Sequence, residues 1–387
     1  MPAPARPARD FRIDLFRGLA LLMIFIDHIP GNPLSSLTLH RMGFSDAAEV
    51  FVLLAGLSAT LAYGATFERS WTLGAVRIAG RCWELYSTHI VLLLAVAGLL
   101  VAVSALAANP DYLAHAGYRP LFVGTETALG HALTLTYLPN YLDILPLYVV
   151  LLALVPVMLP LARRSPAAAL AVSLAVYGAA RALGLTLPNT PLDGTWFFNP
   201  FAWQLLFVIG IVTGLAAGRS ERVVPRSPAL RAAAWGYLAI AFVAVAPWCD
   251  IPGLEGWRLV PDGVLPAMDK ADLSPWRLLH ALALVYAVVD LIPADTRLAE
   301  WAPARAVALC GAQALPVFCI GTVLSRAGEI YAVETGGGAA AMVSASIVGV
   351  AVLLLSARVA AWYRAKPWRR SGETGTLPVR GVPSEAR

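Results

Sequence analysis

The chain has 387 residues, of which 58% are hydrophobic and only 14% are charged. A soluble domain usually carries about a quarter charged residues, so this composition excludes an ordinary water-soluble protein. The net charge of +5 does not indicate a nucleic-acid partner, because basic residues accumulate in the cytoplasmic loops of membrane proteins. The four cysteines are scattered without CxxC spacing, so neither a metal site nor a tightly bound cofactor is expected.

Long apolar runs recur along the chain, each close to the roughly 20 residues that a helix needs to cross a bilayer. They predict an all-α, polytopic integral membrane helix bundle with about ten transmembrane helices. The segment 126–138 is too short and polar to cross alone, so we expect an interfacial or re-entrant helix there. The predicted spans are 14–30, 46–65, 82–107, 142–162, 167–186, 200–217, 232–248, 276–292, 306–326 and 339–362.

The distribution of Lys and Arg predicts the orientation of the bundle. With the N-terminus inside, most of the 29 basic residues fall on the cytoplasmic side, as the positive-inside rule requires. Counting 126–138 as a full crossing would put every later basic loop on the wrong face. Both termini are therefore predicted to be cytoplasmic, and the polar segment 364–387 is expected to be a disordered tail.

Small residues predict one close helix contact. Gly210, Gly214 and Gly218 lie at four-residue spacing in the sixth predicted helix. Glycines at this spacing let two helix backbones approach closely, so this face is expected to pack against a neighbour.

The first predicted helix carries four ionisable residues, Asp14, Arg17, Asp27 and His28. Ionisable groups in a membrane helix are costly, and each is by default a candidate functional residue. Arg17 and His28 lie about three helical turns apart, so they share one face and differ by roughly 16 Å in axial height. Asp14 lies on the same face. This geometry suits a long substrate with an anionic head at Arg17 and a reactive end at His28.

The chemistry of these side chains suggests a role for each. Arg17 is expected to bind phosphates, because a guanidinium is a permanently charged fork. His28 is the candidate general base, because an imidazole titrates near working pH, and Asp27 or Glu49 is expected to set its tautomer. Two plainer interpretations stay open. Arg17 pairs with Asp14 or extends to the membrane surface, and His28 is a structural hydrogen-bonding group.

Four segments together resemble a known family. They are 14–18 (DLFRG), 27–28 (DH), 45–56 (SDAAEVFVLLAG) and 139–146 (PNYLDILP). Their sequences resemble the OpgC family, inner-membrane succinyltransferases of osmoregulated periplasmic glucans. These belong to a wider superfamily of membrane sugar acyltransferases, whose hallmark is a basic residue followed by a histidine. The resemblance runs from about Arg9 to about Trp362.

The resemblance implies a multi-pass O-acyltransferase of the bacterial inner membrane. His28 would be its catalytic histidine and Arg17 its donor-side residue, within an acyltransferase domain of residues 1–363. The implied co-substrate is acyl-CoA, expected to be succinyl-CoA, and the implied acceptor is a periplasmic glucan or another extracytoplasmic sugar. Direct transfer and an acyl-enzyme intermediate both stay open.

Further residues are assigned to the two substrates. The acyl donor is expected near Asp14, Arg17, Arg77 and Arg81, although Arg77 and Arg81 also fit ordinary positive-inside anchoring. The residues expected to contact the acceptor are Asn140, Asp143, Arg181 and Trp203.

A succinyl carboxylate favours an arginine partner. Arg181 is singled out for this role because a charge within a helix is costly to leave unpaired. Aromatic residues such as Trp203 also collect at membrane interfaces without binding sugars. The arginines on the predicted outer half are Arg41, Arg181, Arg277 and Arg326.

Three other functions compete with an acyltransferase. A secondary transporter often shows internal repeats and broken helices in matching positions, and the sequence shows neither. A flippase for an acyl or sugar compound would share the polar first helix but would tolerate loss of the base at position 28. A non-catalytic scaffold does not need four ionisable groups on one helix.

Overall fold

The structure is a computed structural model that describes residues 10–369, except 108, 110, 220, 222, 251, 252, 255, 262–267, 294 and 295. Most of the described chain is helical, with one two-stranded antiparallel pair formed by β1 (Pro188–Asn189) and β2 (Gly194–Thr195). The α-helices are α1 (Phe11–Asp27), α2 (Ala47–Arg69), α3 (Trp71–Leu106), α4 (Asp111–His115), α5 (Pro120–Val123), α6 (Thr125–Leu133), α7 (Ile144–Ala153), α8 (Val155–Arg164), α9 (Pro166–Leu183), α10 (Pro200–Gly218), α11 (Pro228–Val245), α12 (Pro275–Leu291), α13 (Ala302–Ala312), α14 (Ala314–Glu334) and α15 (Ala339–Ala365).

The described helices confirm the predicted all-α membrane bundle. Six are long and apolar enough to cross a bilayer, and the number rises to eight if each of two bent pairs is one span. Helices α1 and α12, which were both predicted to cross, are not among these because each has only 17 residues. The predicted total of ten transmembrane helices therefore stays a prediction. Helix α6 has only nine residues, in keeping with a segment that does not cross alone.

Two predicted continuous spans are broken. The span predicted at 142–162 divides into α7 and α8, which meet at 51°, and the span predicted at 306–326 divides into α13 and α14, which meet at 93°. Proline explains both breaks, because its ring clashes with the carbonyl four residues earlier. Pro156 and Pro316 each lie in the first turn after a break.

Several predicted helix ends are also corrected. Helix α1 ends at Asp27 rather than at residue 30, since Pro30 disfavours helical conformation in the residue before it. Helix α3 begins at Trp71 rather than at residue 82, with Ser70 as N-cap to the backbone N–H of Leu73. Helix α15 continues to Ala365, beyond the start of the predicted tail at 364, and residues 370–387 lie outside the described chain.

Helices α2 and α10 cross at glycines. A methyl group added at Gly56 would lie 2.0 Å from the carbonyl oxygen of Phe207, and one at Gly210 would lie 2.2 Å from that of Leu53. Gly214 meets α2 in the same way, whereas a methyl at Gly218 would meet nothing within 4 Å. The predicted packing face is therefore confirmed at Gly210 and Gly214 and wrong at Gly218.

Helix α1 is held between α13 and α14. Gly18 and Gly311 form a second close crossing, where a methyl at Gly311 would lie 1.9 Å from the carbonyl oxygen of Asp14. Further along, the Ser325 hydroxyl donates to the Phe25 carbonyl at 3.3 Å, and Gly328 adjoins Ile29. Helix α14 therefore runs parallel to the second half of α1 and passes His28 near Ser325.

Candidate active site

His28 is the C-cap of α1, where its backbone N–H bonds to the carbonyls of the last turn. The ring atom Nδ1 lies 2.5 Å from the carbonyl oxygen of Ile24. A carbonyl oxygen can only accept a hydrogen bond, so Nδ1 carries the proton in this contact. The other ring nitrogen, Nε2, is therefore left with a lone pair, as a general base requires.

Tyr141 contacts His28, and Arg326 contacts Tyr141 in turn. The Tyr141 ring makes an edge contact with the imidazole of His28, with 4.3 Å between the ring centres. The guanidinium carbon of Arg326 lies over the Tyr141 ring, 4.2 Å from its centre. Tyr141 has a positive φ of 72°, which costs a bulky residue roughly 1–3 kcal/mol. The segment 139–146 thus places the Tyr141 ring in a conformation that local propensity opposes.

His28 lines a narrow cleft of about 20 Å³ between α1 and α14. The α1 residues on its wall recur at helical spacing and are mostly apolar, whereas α14 contributes small hydroxyl residues. The lining residues include Leu21, Ile24, Phe25, Tyr141, Thr322 and Ser325. We call the part of the bundle around this cleft the His28 end.

Arg17 lies on a second, much larger cavity of about 2740 Å³. Its guanidinium donates to the Ser58 hydroxyl and lies 3.9 Å from the Asp14 carboxylate. Arg77 and Arg81 line the same cavity, so the structure brings together three of the four residues assigned to the donor. We call this part of the bundle the Arg17 end.

Arg77 and Arg81 already have partners in their own neighbourhood. Arg77 donates to the Thr66 hydroxyl, and Arg81 forms an ion pair with Glu84 at 2.6 Å. A guanidinium has five N–H donors, so each of these contacts engages only part of the group.

Phe318 of α14 lines both cavities, and its side chain is buried. An aromatic ring therefore lies between the Arg17 end and the His28 end.

The carboxylate partner expected for His28 is corrected. Asp27 accepts a 2.6 Å hydrogen bond from the Thr38 hydroxyl. Glu49 is fully buried and bonds to Arg277 at 2.6 Å. Because a backbone carbonyl occupies Nδ1 of His28, neither carboxylate sets its tautomer by direct contact.

Glu49 belongs to a buried ionic cluster at the start of α2. Asp46 and Glu49 form a reciprocal capping box, and Arg277 bonds to both carboxylates. Lys270 adds a 2.6 Å ion pair with Asp46. Burial acts to raise the pKa of Asp46, which precedes α2, but the charges of Lys270 and Arg277 outweigh it and hold that pKa well below its ordinary value.

The residues assigned to the acceptor do not form one surface. Asn140 bonds through its amide to the His115 carbonyl at 2.9 Å, and its own carbonyl accepts from Arg326 at 3.1 Å. Asp143 is the N-cap residue of α7. Of these residues Asn140 contacts Arg326, which in turn contacts Tyr141 beside His28.

Arg181 and Trp203 are placed differently from expectation. Arg181 is exposed in the last turn of α9 and donates to the Asp272 carbonyl at 2.8 Å. Trp203 is fully buried, and its indole N–H donates to the carbonyls of Lys270 and Ala271. A ring without exposed area has no face for a sugar, so Trp203 instead anchors the loop before α12.

A comparison of the sequence with models of protein families gives one match, which includes the residues of this site. The model of the family described as OpgC protein matches residues 9–365. The chain belongs to the OpgC family. No curated protein and no solved structure gives a match. Membership in the OpgC family points to a membrane transferase of the glucan succinyltransferase type.

Sequence reasoning missed Tyr141 as a site residue and left Arg326 as one of four outer arginines. Tyr141 stands within a quoted family segment, which was the available signal. The contact of Arg326 with that segment could not be seen, because it joins residues 186 positions apart.

Proposed function

We propose that this OpgC-family chain transfers an acyl group, expected to be succinyl, from cytoplasmic acyl-CoA to a hydroxyl of a periplasmic glucan. The observation that carries the proposal is the arrangement along α1. Arg17 lines a large cavity with other arginines, and His28, on the same helix, lines a narrow cleft that shares the wall residue Phe318 with the cavity. In this proposal the Arg17 end faces the cytoplasm and the His28 end faces the periplasm of a bacterial inner membrane.

Donor binding follows from charge and length. The nucleotide phosphates of acyl-CoA bind near Arg17, Arg77 and Arg81, since guanidinium groups bind phosphate oxygens strongly. The pantetheine arm extends along α1 past Phe318, and the thioester carbonyl reaches the cleft. The axial rise of roughly 16 Å between Arg17 and His28 is the distance that this arm covers.

The chemical step is an ordinary acyl transfer. Nε2 of His28 accepts the proton of a glucan hydroxyl as the hydroxyl oxygen attacks the thioester carbonyl carbon. A C–O bond forms, the C–S bond breaks, and the imidazolium returns its proton to the departing thiolate. The products are an O-acyl glucan and CoA thiol.

The proposal predicts a succinyl ester that depends on His28. Periplasmic glucans are purified from cells that lack the protein and from cells restored with wild type, His28→Ala or His115→Ala at matched membrane abundance, and the glucans are compared by mass spectrometry. Wild type and His115→Ala restore the ester, because the His115 side chain is exposed and bonds only to its own helix. His28→Ala lowers ester formation at least a hundredfold, as expected for loss of a general base.

Two results contradict the proposal in different ways. If His28→Ala forms the ester fully, His28 has no part in the mechanism. If the glucan carries the same substituents with and without the protein, the protein does not catalyse this reaction, and transport of an acyl or sugar compound becomes the leading function.

A further inference from the structure

Arg326 is a buried cation next to the proposed reaction centre. It is 3% exposed, and its guanidinium lies over the Tyr141 ring that also contacts His28. One terminal nitrogen, Nη1, pairs with Glu329 at 2.6 Å, and the other, Nη2, donates to the Asn140 carbonyl at 3.1 Å. These contacts fix the plane of the guanidinium relative to His28.

Two buried donors at this place have no acceptor within the described residues. The Nε–H of Arg326 and the hydroxyl of Tyr118 both lack a hydrogen-bond partner there. Asn140 connects the two groups, because its backbone N–H donates to the carbonyl of Ala116, two residues before Tyr118, at 3.3 Å and its own carbonyl accepts from Arg326. A buried donor without an acceptor is destabilising, and an anionic oxygen is the acceptor that suits both.

Three other cations among the described residues are already committed to partners. Arg277 bonds to Asp46 and Glu49, and Lys270 pairs with Asp46. Arg181 is exposed and donates to a loop carbonyl. Arg326 differs from these cations because it is buried, its Nε–H has no partner among the described residues, and it contacts the Tyr141 ring that also contacts His28.

We propose that Arg326 and Tyr118 bind the distal carboxylate of a dicarboxylic acyl group whose thioester carbonyl lies at His28. The carboxylate accepts hydrogen bonds side-on from Nε and from the second N–H of Nη2, a common geometry for Arg–carboxylate pairs. The Tyr118 hydroxyl donates to the same carboxylate, and the ion pair of Nη1 with Glu329 stays in place. No bond forms or breaks at Arg326, so both residues position the acyl group and select it.

This inference rests on the proposed acyl transfer and names the acyl class. The centre of the Tyr141 ring lies 4.3 Å from the centre of the His28 ring and 4.2 Å from the guanidinium carbon of Arg326. A short acyl chain can therefore reach from His28 to Arg326. A neutral acyl group of equal length would leave both donors unpaired, and a site of this kind rejects such analogues strongly.

The test compares succinyl-CoA with butyryl-CoA, which has the same four carbons and no carboxylate. Protein in lipid nanodiscs is assayed with unsubstituted glucan purified from cells that lack the protein, and kcat/KM is measured for both donors. Wild type prefers succinyl-CoA at least tenfold. Arg326→Gln and Tyr118→Phe lower that preference at least tenfold and threefold, respectively, with little change for butyryl-CoA.

The matched control is Tyr137→Phe. The Tyr137 hydroxyl is nearby but donates to the Gly117 carbonyl at 2.7 Å, so its loss leaves the donor preference unchanged. Equal losses for both donors in Arg326→Gln would show that Arg326 only anchors the Asn140 segment, and this overturns the inference. A wild type without preference also overturns it while acyl transfer stands, whereas a wild type inactive with every acyl donor rejects the proposed function itself.

Discussion

The imidazole of His28 is oriented by the carbonyl of Ile24, one helical turn earlier. A partner from the same helix keeps the ring direction tied to α1 itself, and Tyr141 closes one side of the ring. The proposed base therefore depends on backbone geometry rather than on a second ionisable group. Asp27 and Glu49 are engaged by Thr38 and Arg277.

Arg17 offers a test of donor binding at the scale of one residue. Arg17→Gln removes the charge, and we expect the KM for succinyl-CoA to rise about tenfold or more, as for loss of a charged hydrogen bond. The KM for succinyl-pantetheine, which lacks the nucleotide phosphates, stays unchanged. Steady-state kinetics with both donors measures the difference.

Ser58→Ala is the control for a purely structural role of Arg17. It removes the hydroxyl that joins Arg17 to α2 and keeps the guanidinium charge, so the ratio of the two KM values stays that of wild type. An equal rise for both donors in Arg17→Gln would mean that Arg17 holds α1 against α2 and does not bind phosphates.

Sequence reasoning reached the residues of α1 because ionisable groups are conspicuous in an apolar helix. It assigned Glu49 to the histidine because both were expected near one end of the bundle. The actual partner of Glu49 is Arg277, 228 positions away, and no local pattern encodes such a pairing. Trp203 was misjudged for the same reason, since its hydrogen bonds go to a distant loop.

At the scale of helices, prolines decide where α14 begins. The predicted span 306–326 follows apolar content alone, which does not register the break before Pro316. The break lets α13 cross α1 at Gly18 and lets α14 run beside its second half. Both Phe318 and Arg326 reach the candidate site because of this change of direction.

The crossing of α2 and α10 supplies a stability test with an internal control. Gly210→Ala places a methyl group 2.2 Å from the Leu53 carbonyl oxygen, so the helices must separate. Overpacking of this kind costs about 1–3 kcal/mol, and the thermal unfolding midpoint in detergent falls. Gly218→Ala, at the end of the same helix with nothing within 4 Å, leaves the midpoint unchanged or slightly raises it. Equal midpoints for the two variants would contradict the close crossing.

Across the whole molecule, two cavities follow one another along α1, and both α1 and α14 contribute to the walls of each. Composition and apolar runs sufficed to predict a helical membrane bundle, because the bilayer permits few alternatives. The cavities were beyond prediction, because their walls combine residues from many helices. Their order along α1 gives the proposed reaction a direction, from the Arg17 end to the His28 end.

That direction is tested most directly in sealed proteoliposomes with donor and acceptor on chosen sides. Succinyl-CoA, which does not cross the bilayer, is supplied outside, and unsubstituted glucan is placed either inside or outside before mass spectrometry. We predict succinyl ester on the glucan trapped inside and none on glucan that shares the donor's side, with His28→Ala inactive in both arrangements. Ester formed only when donor and glucan share one side would contradict transfer through the bundle.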